Sequence, residues 1–278
     1  MGQGSFWSKV LNVFLFVCLA ILAISIIFPM LWILISGFKT NREFFLHPWS
    51  LPHSWQWENF VAAWHNGVAQ YFLNSVQVTF VSIVLVLAFS AFASYALSRF
   101  DFKGKKIIFL VILSGLMLAP QVSVISLFKM LQTIHLFNTY WALVIPYVAF
   151  QIPFAVFLMR AYFLSLPREI EDAAYIDGCN SWTAFWRVIL PMSKPIVLTT
   201  GLLTGMFFWN EFLFALVFIE SPNLRTIPVG LMNLQNQLGT NYGILTAGLF
   251  LATIPMIVIF ILFQKHFMRA LSEGGLKG

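Results

Sequence analysis

Six stretches of this chain are long and apolar enough to cross a lipid bilayer, and they limit the fold more than anything else in the sequence. A hydrocarbon core of about 30 Å takes roughly 20 apolar residues per helix. Residues 10–35, 76–97, 107–128, 141–163, 196–219 and 243–263 each meet that length. Charged residues make up only 9% of the chain and hydrophobic ones 60%, whereas a soluble domain carries roughly 25% charged residues. The expected fold is therefore all-α and integral to the membrane, with six transmembrane helices. Pro29, Pro120, Pro146 with Pro153, and Pro255 lie inside four of the runs and predict kinked helices supported by their neighbours. The first run exceeds the ~7–15 residues of a signal-peptide core, and no A-x-A-like site follows it. It reads as a retained helix. Phe6 stands where a myristoylation signal needs Ser or Thr, so lipidation is unsupported.

Several chemistries are excluded early. Cys18 and Cys179 form no disulfide framework, and the five histidines are scattered without metal-ligand spacing. The net charge of +6 comes from basic residues dispersed at the ends of apolar runs, so it marks topology rather than a nucleic-acid-binding face. With an even number of spans, one side holds twelve Lys and Arg residues, from Lys9 to Lys277. The other holds Lys39, Arg42, Lys129 and Arg225. This asymmetry predicts that both termini and residues 165–195 are cytoplasmic. Residues 37–67 then form an outer loop whose Trp49, Trp55 and Trp57 suit either an interfacial belt or a docking surface for an external partner.

Residues 165–195 are the one well-formed polar interruption. Ser165 is expected to cap a helix from Leu166, with Pro167 in its first turn. Glu169, Glu171 and Asp172 fall where the helix dipole favours acids, and Ala173 and Ala174 leave one side slim. Gly178 fits a left-handed stop. Ser181 is expected to cap a second helix, "WTAFWRVIL", ended by Pro191, with Trp182, Phe185, Trp186 and Ile189 on one side. A hairpin resting on the bilayer would explain the aromatic residues alone. A rigid knob that plugs into a partner explains the acids, small residues, glycine and prolines as well.

The run "EDAAYIDGCNSWTAFWRVILPMSKP" resembles the EAA motif of the membrane subunits of bacterial ABC importers. The match falls on Asp172, Ala173, Ala174, Gly178, Val188, Leu190 and Pro191. Asp172 replaces the usual Glu, with Glu171 just before it. "ISGFKTNREFF", "YFLNSVQVT", "YALSRFDFKGKK", "FWNEFLFAL" and "GGLKG" extend the likeness along nearly the whole chain. Together they are similar to the smaller six-helix permease of maltose-type and multiple-sugar systems.

That resemblance implies a single permease domain over residues 1–278 in a bacterial or archaeal cytoplasmic membrane. It implies alternating access driven by ATP, without covalent chemistry in this chain. The implied partners are a second homologous permease, two ATPase subunits, an extracytoplasmic sugar-binding protein and membrane lipid. ATP and Mg would sit on the ATPase, consistent with the lack of a GxxxxGK[ST] pattern here. By the same resemblance, Glu171, Asp172 and Asp177 supply polar contacts to the ATPase, and Ala173 and Ala174 allow close approach. Gly178 makes the turn, Phe185 plugs the ATPase groove, and Leu190, Pro191 and Pro195 belong to the exit into the next span.

Asn210 and Glu211 lie within the fifth apolar run. A carboxylate at the bilayer centre costs about 2.5–3.5 kcal/mol, so they should face protein or a water-filled cavity. They are candidates for a sugar path with Phe208, Trp209 and Phe212, or for contacts with the partner permease. Gln151 is a further path candidate. Gly201 and Gly205 are expected to pack against another helix, and Asn74, Gln77 and Gln121 to make local hydrogen bonds. Between the last two runs, Asn233, Gln235, Asn236 and Gln237 are candidates for contact with the binding protein. Other cargo, such as a polyol or glycerophosphodiester, stays open. The middles of the apolar runs carry no Lys or Arg, which favours a neutral solute. A stand-alone channel or secondary transporter predicts charge relays or inverted repeats, and neither is evident.

Overall fold

The structure, a computed structural model, describes the backbone of residues 3–237 and 241–275 and the side chains of residues 8–232 and 241–263. The described residues contain no strand. In chain order the helices begin with α1 (Gln3–Gly37), α2 (Asn41–Leu46), α3 (Glu58–Ala63) and α4 (Ala69–Arg99). Then come α5 (Lys105–Ser114), α6 (Pro120–Thr133), α7 (Trp141–Ser165), α8 (Glu169–Ile176) and α9 (Ser181–Ala184). The last are α10 (Leu190–Met192), α11 (Lys194–Asn210), α12 (Leu213–Phe218), α13 (Ile227–Gln237) and α14 (Tyr242–Gly275). The chain forms two compact units, residues Met1–Ala69 with Leu231–Ile254, and Gln70–Gly230 with Pro255–Gly278.

In the first unit α1 is exposed over most of its length, gains ring contacts from Phe28 and Trp32 onward, and packs closely at its end. There Phe60 and Ala247 come within 2.9 and 3.1 Å of where a Gly37 Cβ would stand. The following loop is built around Lys39, which is 1% exposed. Its Nζ donates to the carbonyls of His47 (2.9 Å) and Pro48 (2.8 Å), and its burial holds the ammonium below its ordinary pKa. Thr40 and Glu43 form a reciprocal capping box at the start of α2. The Thr40 backbone N–H, foremost, holds the Glu43 carboxyl below the usual range. Trp49 stacks on Phe28, while Trp55 and Trp57 meet Phe38 edge-on.

The second unit is organised around α7. Leu143, Val144, Tyr147, Val148 and Ala155 pack with Val78 and Val86 of α4, Leu131 of α6, Phe208 of α11, and Phe214, Ala215 and Phe218 of α12. Gly201 and Gly205 let α11 approach α4 as expected. A Cβ at those positions would stand 3.2 Å from Leu87 and 2.8 Å from Ile83.

Two of the six predicted spans are not single helices. The run 107–128 breaks after a 3-10 turn at Gly115–Met117, Ala119 is extended (ψ 124°), and Pro120 opens α6. Proline pushes the residue before it out of the helical region, so it starts a helix here instead of kinking one; α5 and α6 with their linker bend by 98°. The run 196–219 breaks at Glu211, whose backbone is extended (ψ 126°). Four helices among the described residues are long and apolar enough to span alone: Ser8–Gly37, Glu58–Arg99, Trp141–Ser165 and Tyr242–Phe263. The number reaches six if two bent pairs, Lys105–Met117 with Pro120–Thr133 and Ser181–Met192 with Lys194–Asn210, each count as one span.

Asn74 makes the expected local hydrogen bond, from Gln70 one turn earlier, and long-range ones besides. It is 1% exposed. Its Nδ2 donates to the carbonyls of Asn223 (2.7 Å) and Arg225 (2.9 Å), and its Oδ1 accepts from Gln70 and Tyr140. The amide thus uses both donors and both acceptor positions, and it ties α4 to the connector after α12. That connector leads into α13. The side chains of Asn233, Gln235, Asn236 and Gln237 lie outside the described residues.

Candidate functional site

The segment between α7 and α11 folds as two short helices around a tight turn, with boundaries that differ from those expected. Ser165 does not cap α8. It ends α7, and its hydroxyl donates to the Tyr162 carbonyl. The helix after Pro167 begins only at Glu169. Asn180, not Ser181, caps α9, its Oδ1 accepting from the Thr183 N–H at 2.8 Å. Between them Gly178 sits at φ +84°. The Cys179 N–H donates to the Ala174 carbonyl (2.9 Å), and the Gly178 N–H to that of Tyr175 (3.0 Å). This pair of bonds is a Schellman stop.

A Cβ on Gly178 would meet nothing within 4 Å, so its constraint is conformational and not steric. Gly178→Val is expected to destabilise the turn by about 1–2 kcal/mol or somewhat more, with Gly178→Asn much milder. Protease nicking within residues 165–195 of membrane-inserted protein would measure this. Equal nicking of the two variants would refute the left-handed requirement.

The acids divide between two sides of α8. Glu171 is buried. Its Oε1 accepts from the hydroxyls of Tyr95 (2.6 Å) and Tyr175 (3.0 Å), and its Oε2 lies 3.1 Å from Arg99 Nε. Arg99 also donates from Nη2 to the Leu166 carbonyl at 3.2 Å. Glu171 is therefore committed inside this chain and is not available for the partner contact expected of it. Ala174 is buried on the same side, so its small size serves packing here. Asp172, Ala173, Ile176 and Asp177 face outward, Ile176 at 86% exposure.

Phe185 is likewise turned inward, 1% exposed, against Phe92 and Tyr95 at 5.2 and 5.0 Å between ring centres. It cannot plug a partner's groove from there. Ile189 is buried beside it, but Trp182 and Trp186 are exposed. Residues 185–189 wind as a π-turn, yet Trp182 and Trp186 keep to the side of Phe185 as expected, their rings 5.5 and 5.8 Å from that of Phe92. Pro191 stands one residue before the end of the continuous helical run Ser181–Met192, close to the expected stop, and half-buried Leu190 packs behind Phe185. Exposed Pro195 lies in the first turn of α11, past a 73° bend.

The intramembrane candidates also separate. Glu211 caps α12, with Oε1 accepting from the Phe214 N–H (2.8 Å) and Oε2 from the Ala215 N–H (3.2 Å) and the Tyr147 hydroxyl (2.6 Å). Tyr147 is fully buried and stacks on Phe208 at 5.3 Å. Phe208 and Trp209 are buried, whereas Asn210 is exposed and bonds to the Met206 carbonyl. Phe212 is 39% exposed. A groove of about 370 Å³ opens where α5 and α6 break. Gln151, Phe150, Phe154, Leu203 and Phe207 line it. Of the expected path residues, only Gln151 lies there.

The arrangement has a helical hairpin pinned by a buried ion pair, an outward acidic and apolar edge, and broken spans beside a groove. A family model described as "Binding-protein-dependent transport system inner membrane component" matches residues 1–273. The chain belongs to this family. It is thus the inner membrane component of a transport system, a permease and not the subunit that hydrolyses ATP. It is 49% identical to the probable ABC transporter permease protein YurM of Bacillus subtilis over 278 residues, covering 100% of this chain and 90% of that one. The arabinooligosaccharides transport system permease protein AraQ of Halalkalibacterium halodurans is 36% identical, with 98% of each chain covered. A solved bacterial ABC transporter involved in the import of the acidic polysaccharide alginate has a chain that matches this permease with a TM-score of 0.83. That match covers 96% of this chain and 99% of the other at 22% identity, and so speaks for the fold.

Proposed function

We propose that this permease carries oligosaccharides into the cytoplasm as half of the membrane channel of an ABC importer, alternating between two openings as its ATPase closes and releases. The observation that carries the reading is the division of α8. Its inner side is anchored to the permease by Glu171 and Ala174, while Asp172, Ala173, Ile176 and Asp177 are left free to seat in an ATPase. In this reading Ile176 is the apolar plug, and both termini and the hairpin are cytoplasmic. A second homologous permease completes the channel, two ATPase subunits hold ATP and Mg, and an extracytoplasmic binding protein delivers cargo. Relatives such as the arabinooligosaccharide permease support an oligosaccharide cargo, probed along the groove that Gln151 lines. The residues 1–278 act as one permease domain.

The test is gentle purification of tagged protein from its host, with mass spectrometry of what accompanies it and cross-linking from Ile176→Cys. The expected result is a homologous permease and a stoichiometric ATPase, the latter cross-linked at Ile176→Cys. Protein that purifies alone, with no ATPase cross-link, would overturn the reading.

A further inference from the structure

We propose that α4 is the rod through which the hairpin's motion reaches the opposite end of its unit, with Tyr95, Arg99 and Glu171 as the joint at one end and Asn74 as the joint at the other. The inference rests on the coupling role assigned above to the hairpin. It begins with continuity. The chain from Ala69 to Arg99 is 31 residues of helix without proline or glycine, about 45 Å at 1.5 Å per residue. Elsewhere in the unit α7 contains Pro146 and Pro153, α5 is broken from α6, and α11 is broken from α12. A straight helix transmits displacement along its axis where broken ones absorb it.

Each end of α4 is fastened by polar contacts of high directionality. Tyr95 and Arg99 are one turn apart and face the same way. Between them they reach Glu171 on α8, the Leu166 carbonyl between α7 and α8, and the Ser181 carbonyl at the start of α9. The Arg99 and Glu171 side chains are only 5% and 7% exposed, so water does not compete for the pair. Phe185 closes the joint against the Tyr95 ring. A force on Asp172 meets this anchor one residue away. At the far end Asn74 holds the carbonyls of Asn223 and Arg225, and the Ser75 hydroxyl accepts from the Ile227 N–H at 2.8 Å. Tilt or translation of α4 therefore moves the connector into α13.

The experiment uses the intact importer in lipid nanodiscs, with ATP and the co-purified binding protein carrying its own cargo as probes. Tyr95→Phe keeps the ring packing and removes the hydroxyl, and Asn74→Ser shortens the other clamp. Each is expected to assemble normally and to hydrolyse ATP without binding protein within about two-fold of wild type. Stimulation by the binding protein should fall by about five-fold or more, the scale of an ordinary coupling between sites. Arg99→Lys should retain most of the stimulation and Arg99→Gln should lose it. Full stimulation in Tyr95→Phe and Asn74→Ser, or a proportional loss of assembly and unstimulated hydrolysis, would overturn the proposal. Absence of any ATPase from the wild-type complex would remove the coupling role itself, and this inference with it.

Discussion

Glu171→Ala is expected to release the hairpin from the permease, while Asp172→Ala, one residue along, leaves it in place. Breaking a buried ion pair by deleting one partner costs about 3–5 kcal/mol, because the other charge is left without compensation. Here Arg99 loses its carboxylate, and the Tyr95 and Tyr175 hydroxyls lose their acceptor. Asp172 is exposed, and replacement of a surface residue changes stability by about 0.5 kcal/mol or less. The measurement pairs tryptic cleavage at Arg168 and Arg187, both exposed, with recovery of the ATPase. Glu171→Ala should be cleaved much faster and lose the ATPase. Asp172→Ala should resist cleavage like wild type and lose only affinity for the ATPase. Identical behaviour of the two variants would remove the distinction between the two sides of α8.

Glu211→Ala should be the second most damaging change, and for a reason local to the permease. It removes the acceptor from two backbone N–H groups at the start of α12 and from the buried Tyr147 hydroxyl. Loss of a helix cap costs about 0.5–2 kcal/mol, and a buried donor left unsatisfied about 1–3 kcal/mol. Water is not at hand inside a membrane to repair either. Glu211→Gln keeps one carbonyl acceptor and should recover part of the loss. Thermal unfolding in mild detergent should rank wild type above Glu211→Gln, and Glu211→Gln above Glu211→Ala. If Glu211→Ala unfolded like wild type yet blocked transport, the carboxylate would belong to the cargo path and not to the α12 cap.

The two sides of α8 also show where sequence reasoning stops. Apolar length alone pointed to a helical membrane protein, and the order of acid, small residues and Gly178 pointed to a hinged hairpin for docking. The choice between Glu171 and Asp172 was not legible, because an eight-residue helix does not reveal which side is inward until its partner is known. That partner, Tyr95, is 76 residues away in the chain. Helical spacing put Phe185 on one side with Trp182 and Trp186, and all three rings do surround Phe92. Its role in an ATPase groove came from resemblance alone, and spacing could not tell that this side turns toward α4. The breaks were partly readable. Ala119 before Pro120 marks a helix start as well as a kink, and Glu211 stands three residues ahead of Phe214, the spacing of a cap. Hydropathy hid both, since an apolar run scores the same whether it is one helix or two.

The isolation of α1 ties this permease to the physical dimensions of its bilayer. Residues Ser8–Gly37 number 30, about 45 Å of helix at 1.5 Å per residue, against a hydrocarbon core of about 30 Å. None of its most apolar window is buried within the chain, and its ring contacts lie in the last third, from Phe28 onward. A helix held at one end and longer than the layer it crosses leans until its length fits. Its slant is therefore set by lipid thickness and by whatever second chain lies against it, so acyl-chain length acts on this permease first through α1.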